Sequence, residues 1–192
     1  MTLWSEDCLN ELLETDTLVG LYKDKERPSR FLSGWITALD VQNGWLMMAL
    51  LDHHGGDDGF LLLPLSRVFR IETGGLDLER MRILHGPGSK PTPPVSPGDD
   101  LLKEVLEHLR ETKAVCALGS QDVDDMLTGF LEQTGPQACR IRTVHHLFGY
   151  SHGVTWLERG ELDLVEWGSR DCRDLATILQ VHAQGLAGKT EG

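Results

Sequence analysis

The same plan is written twice along this chain, and that repetition restricts its fold more than any single motif. LWSEDCLNELLET (residues 3–15) and LLKEVLEHLRET (101–112) both read as short amphipathic helices. Each ends in Glu-Thr and runs into a short apolar strand, LVGL (18–21) in one case and VCAL (115–118) in the other. After a polar turn, FLSGWI (31–36) answers MLTGFL (126–131), which sets Gly34 opposite Gly129. GGDDGFLLL (55–63) then answers GYSHGVTWL (149–157), and RIETGGLDLERMRIL (70–84) answers LVEWGSRDCRDLATIL (164–179). Glu72, Gly74 and Asp77 thereby face Glu166, Gly168 and Asp171. Elements of the same kind, recurring in the same order with only single-residue shifts, imply two copies of one supersecondary unit.

Between the copies lies HGPGSKPTPPVSPGDD (85–100), which holds five of the eight prolines and reads as an extended, semi-rigid linker. The expected organisation is therefore a helix and a first small barrel over 1–84, the Pro-rich linker over 85–100, a helix and a second barrel over 101–182, and a flexible tail over 183–192. Asn-Gly in DVQNG (40–44) is a hairpin signal, and GGDDG reads as a second reversal. Short strands of about five to seven residues between such turns predict a mainly β, α+β chain whose duplicated unit is a small, curved antiparallel barrel. A glycine inside a strand, as in LSGWI, permits the bend that such a barrel needs. Trp35, Trp45, Trp156 and Trp167 fall in predicted strands, where core packing is the expected role of most of them.

A leading helix followed by about five curved strands, with Ser-Gly-Trp-Ile as a bent second strand, resembles an Sm-like (SH3-like) small β-barrel. The tandem arrangement is similar to that of uncharacterised bacterial proteins built from two such units, with a Gly-x-x-Asp-Gly turn, an apolar strand and Ile-Glu. The Asp-x-x-Met-Asn and Arg-Gly or Lys-Gly segments that hold the RNA-binding pocket of Sm proteins have no counterpart in this sequence.

GYSHG fits the G-x-S-x-G pattern of serine hydrolases, but the repeat sets it opposite GGDDG. The glycines recur and Ser151 faces Asp57, so backbone freedom in a turn accounts for both copies, and Ser151 reads as a turn residue. A nucleophile elbow also leads into a helix, whereas VTWL after Ser151 reads as a strand. DHHGGDDG (52–59) lacks the ligand spacing of a calcium loop. Adjacent histidines in a strand point to opposite faces, so His53 and His54 converge on one ion only if the chain leaves β geometry there. His145 and His146 fall opposite Leu51 and Asp52, not opposite the first pair. The candidate binding residues are the turn cluster His53, His54, Asp57, Asp58, Ser151 and His152, which needs the two turns to meet; no metal, cofactor or catalytic residue is expected. The terminal GKT (188–190) lacks the spacing of a phosphate loop.

Thirty acidic residues against 18 basic ones give a formal charge of −12 with no run of Lys or Arg, a field that repels phosphate. The acidic N-terminal segment has no basic region followed by an apolar stretch and reads as no signal peptide. WLMMALL (45–51) is too short to span a bilayer. The four cysteines form no C-x-x-C pair and read as reduced cytosolic thiols. The expected function is that of a non-enzymatic cytoplasmic interaction module, meeting a protein partner or a second copy through sheet edges, with neither nucleic acid nor membrane as partner. Its alternatives are a single-stranded RNA-binding Sm-like protein and a hydrolase using the Gly-rich turns.

Overall fold

Ser5 starts the first helix, α1 (Glu6–Glu14), by accepting a hydrogen bond from the Cys8 N–H at 3.3 Å, with Glu6 and Asp7 in the turn where the helix dipole favours acid. The computed structural model describes residues 4–27, 29–88, 90–96, 98–120, 123–145 and 149–187. It divides into two compact units, Met1–Val105 and Leu106–Gly192. The chain is mainly β with four helices among the described residues, an α+β protein.

In the first unit, β1 (Val19–Tyr22), β2 (Leu32–Asp40), β3 (Trp45–Leu51), β4 (Asp57–Pro64) and β5 (Arg70–Thr73) precede helix α2 (Leu76–His85). The order is β5-β1-β2-β3-β4 with antiparallel neighbours. Helix α3 (Leu101–Thr112) contains the boundary between the units. In the second unit, β6 (Val115–Ser120), β7 (Val123–Thr134), β8 (Ala138–Val144), β9 (Ser151–Glu158) and β10 (Leu162–Trp167) precede α4 (Arg170–Ala187). Their order is β10-β6-β7-β8-β9, again antiparallel. Short 3-10 turns, Leu65–Arg67 and Arg159–Glu161, join the fourth strand of each unit to its fifth.

The second strand of each unit runs against the third at backbone distance. Gly34 lies opposite Leu50, where a β-carbon would stand 2.0 Å from the Ala49 carbonyl oxygen. Gly129 lies opposite Thr143, where a β-carbon would stand 2.1 Å from the Arg142 carbonyl oxygen. Both registers then slip, between Ile36 and Ala38 in β2 and between Leu131 and Gln133 in β7. Such bulges bend a strand and increase its twist.

The helix after the fifth strand covers one apolar face of each unit. Leu78 and Met81 of α2 join Leu18, Trp35 and Leu51, with Phe31 packed against them. Cys172 and Leu175 of α4 join Val115 and Val144, with Phe130 and Leu179 alongside. Trp35 and Trp167 are buried as expected and Trp45 is half-buried, but Trp156 is 60% exposed. Trp156 is the exception among the four because β9 ends its unit's strand order, with β8 as its neighbour among the described strands.

Residues 86–88, 90–96 and 98–100 form no helix or strand, and several of them bond to other segments of the first unit, within whose bounds they fall. The Lys90 N–H donates to Asp16 Oδ1 at 3.1 Å, Val95 is buried, and Asn43 Nδ2 donates to the Asp99 carbonyl at 2.9 Å. At the other end of the chain, α4 continues past residue 182 to Ala187, where a flexible tail was expected from 183; residues 188–192 lie outside the described residues. Asp40 is the buried anchor of the first unit's loops. Its carboxylate accepts from Asn43 N–H at 2.9 Å, Asn43 Nδ2 at 2.8 Å and Leu101 N–H at 3.1 Å, fixing the β2–β3 turn and the start of α3 together. Burial pushes this carboxyl up, and the donated bonds from Asn43 and Leu101 outweigh it, holding Asp40 below the ordinary aspartate range.

Replacing Gly34 or Gly129 by Ala is expected to cost about 3 kcal/mol, since the carbonyl in the way is backbone and has no rotamer to yield. In thermal unfolding this reads as a fall of roughly 6–12 °C for a chain of this size. A folded pKa below the unfolded value stabilises above about pH 4 and ceases to do so as pH falls through the folded value. Urea unfolding of Asp40→Asn is therefore expected to show a stability deficit at pH 7 that shrinks on acidification to pH 3.

Candidate functional site

The β3–β4 reversal is built by Asp52. Its Oδ1 accepts the N–H groups of His54 and Gly56, both at 2.8 Å, and its own carbonyl accepts the Gly55 N–H at 3.0 Å. The Gly56 N–H dominates the shift that lowers the Asp52 pKa, against the opposing effect of burial. His53 and His54 stand in this turn, outside β geometry, with ring centroids 3.8 Å apart and both residues exposed. The opposite-face argument for these two histidines therefore does not apply. Asp57 and Asp58 were expected in the turn, but they open β4, with Asp57 opposite Leu51. The Asp52 bonds close the reversal at Gly56, before the acidic pair is reached. Asp52 was missed as an organiser, although an Asp shortly before a Gly-Gly pair is the signal for such a turn.

His145 N–H donates to the Tyr150 carbonyl and Gly149 N–H to the His145 carbonyl, each at 2.8 Å. Ser151 is the first residue of β9, opposite Val144, so it is a strand residue and not the turn residue expected. Its Oγ accepts the Gly153 N–H at 3.4 Å, and the chain continues from it as strand, where a nucleophile elbow would enter a helix. His152 follows on β9, its ring 5.3 Å from that of His145 and nearly edge-on to it.

A cavity of about 950 Å³ opens in the second unit between its strands and α4. Val144, Leu175 and Ile178 give it apolar surface, while Thr128, Thr143 and Thr155 add hydroxyls. His145 and His152 line it from the β8–β9 connection and β9, Glu166 from β10, and Asp171 and Asp174 from α4. Of the six sequence candidates, His152 lines this cavity; His53, His54, Asp57 and Asp58 belong to the first unit. Among the described residues no group of three His, Cys, Asp or Glu side chains is arranged to hold a metal ion.

The buried thiols are chemically quiet. Burial pushes Cys116 up to about 12 and also raises Cys139 and Cys172, so none presents a thiolate near neutral pH. Cys8 is exposed. No protein-family model matches the chain, and no curated protein matches it either.

At pH 8, an aromatic disulfide reagent is expected to titrate one of the four thiols rapidly, at Cys8, and all four only after unfolding. Rapid loss of Cys116, Cys139 or Cys172 in the native protein would contradict their burial.

Proposed function

We propose that the chain is a non-enzymatic, cytoplasmic interaction protein made of two tandem Sm-like units, and that it self-associates through the outer edge of β9. Several correspondences support the duplication. Both units order their strands fifth-first-second-third-fourth and insert a 3-10 turn before the fifth. In both, a glycine of the second strand abuts a carbonyl of the third, with a register slip two residues later. Gly59 and Gly153, paired by the repeat, both have positive φ, +74° and +103°.

The observation that carries the interaction reading is β9 itself. It is an eight-residue strand at the end of its unit's order, hydrogen-bonded to β8 on one side, with Val154 45% and Trp156 60% exposed. A long end strand of this kind is a template for adding another strand, and natural proteins otherwise blunt such edges with charge or proline. A second copy is the favoured occupant, because the chain also offers a second end strand: among the described residues β5, four residues long, has β1 as its neighbour. Trp156, with the Arg140 guanidinium 5.9 Å from its ring, supplies the large apolar surface that anchors protein interfaces.

Light scattering coupled to size exclusion tests this. The wild-type chain is expected at a multiple of 21.4 kDa, and Val154→Lys with Trp156→Asp at the single-chain mass with an unchanged circular dichroism spectrum. A wild-type chain that stays at single-chain mass at high micromolar concentration contradicts self-association.

A further inference from the structure

The β8–β9 ladder fixes which backbone groups of β9 face outward. Arg159 N–H donates to the Gln137 carbonyl at 2.8 Å, in the register that sets Ala138 opposite Glu158. Hydrogen-bonded and non-hydrogen-bonded pairs alternate along an antiparallel ladder. Leu157, Thr155 and Gly153 therefore bond to β8, and the N–H and C=O groups of Val154, Trp156 and Glu158 point away from it. This run is bounded at both ends, by the register slip at His152 and by the 3-10 turn that starts at Arg159. The side chains of Val154, Trp156 and Glu158 share one face with their β8 partners Arg142, Arg140 and Ala138, and all three are exposed.

We propose that this edge pairs with its own copy: β9 lies antiparallel to β9 of a second chain, about a two-fold axis at Trp156. The inference rests on the self-association reading above and deepens it by naming the partner strand and its register. Outward residues spaced evenly about Trp156 make a self-complementary edge. Trp156 exchanges both of its outward hydrogen bonds with its twin, and Val154 exchanges both of its own with Glu158 of the second copy. Centred instead on Thr155, the ladder would set Glu158 against the slip at His152 and leave its outward groups unpaired. Centred on Trp156, it brings two indoles side by side, each with an Arg140 guanidinium 5.9 Å from its ring, a cross-strand aromatic pair of the kind that stabilises a ladder. Charge complements as well. Arg140 and Arg142 share the carboxylate of Glu132, at 3.4 and 3.1 Å, which leaves that group of three net positive. Glu158 of the second copy stands beside Val154, one strand from Arg142, and meets that excess. The other end strand, β5, is a poorer partner, because it is four residues long and its Arg70 and Glu72 side chains already pair with each other.

The test uses the full chain with Cys8→Ser, so that the exposed native thiol does not compete. The register sets Val154 about 5.5 Å, Cα to Cα, from Glu158 of the second copy, within disulfide reach, and about 14 Å from its own twin, beyond it. Under mild oxidation an equimolar mixture of Val154→Cys and Glu158→Cys chains is expected to cross-link to the two-chain mass, and either variant alone to stay at single-chain mass. Glu158→Arg is expected to weaken association by roughly tenfold, and adding Arg142→Glu to restore most of it. An assembly that persists by light scattering without the mixed cross-link, or that cross-links as readily in either variant alone, overturns the two-fold register and leaves self-association standing. Failure of Arg142→Glu to restore a chain weakened by Glu158→Arg, with circular dichroism unchanged, overturns the register independently of any cross-link. Single-chain mass for the Cys8→Ser parent overturns the self-association reading and this inference with it.

Discussion

Backbone lies against backbone at Gly34 and Gly129, and the rest of each unit follows from that approach. The carbonyls of Ala49 and Arg142 occupy the places where β-carbons would stand, so the second strand can cross the third there only as glycine. Two residues later each ladder slips, and the strand bends. That bend turns one face of the strands toward the helix that follows the fifth strand, α2 or α4, whose apolar side chains complete a core no single strand supplies. Bulky side chains elsewhere tune that core, but none replaces the close approach.

What fills the core differs between the units. Phe31 and Trp35 pack against Leu78 and Met81 of α2, with the His85 ring edge-on to Trp35 at 5.0 Å between centroids. Under α4, Cys172 and Leu175 meet Val115 and Val144, and a polar cavity opens beside them. At Asp40, a single carboxylate holds both the β2–β3 turn and the first turn of α3.

Local pattern made much of this architecture legible before any coordinates. The ends of α3 are readable because Asp100 caps Lys103 N–H at 2.9 Å and five apolar residues from Leu101 to Leu109 share one buried face. Gly34 and Gly129 are readable because strand-forming neighbours flank them on both sides. The start of β4 was misjudged, since the length of its turn is set by Asp52 bonding to Gly56 and not by the richness of GGDDG in turn formers. Which of the four strand tryptophans would be exposed was not legible, for a different reason. VTWLE alternates as an interior strand does, and only the strand order, a long-range property, assigns it to an end. The cavity was invisible because it depends on side-chain sizes brought together from five strands and α4. His152 alone of the six candidate residues reached it, through its place on β9 and not through the turn chemistry that first drew attention to it.

The central claim is that the chain acts through the outer edge of β9. Hydrogen–deuterium exchange of the amides of residues 151–158, followed across a dilution series of the wild-type protein, tests it most directly. Protection that rises with concentration in β9 while β8 stays constant is the predicted result. Exchange in β9 that is fast and identical at every concentration would contradict the account.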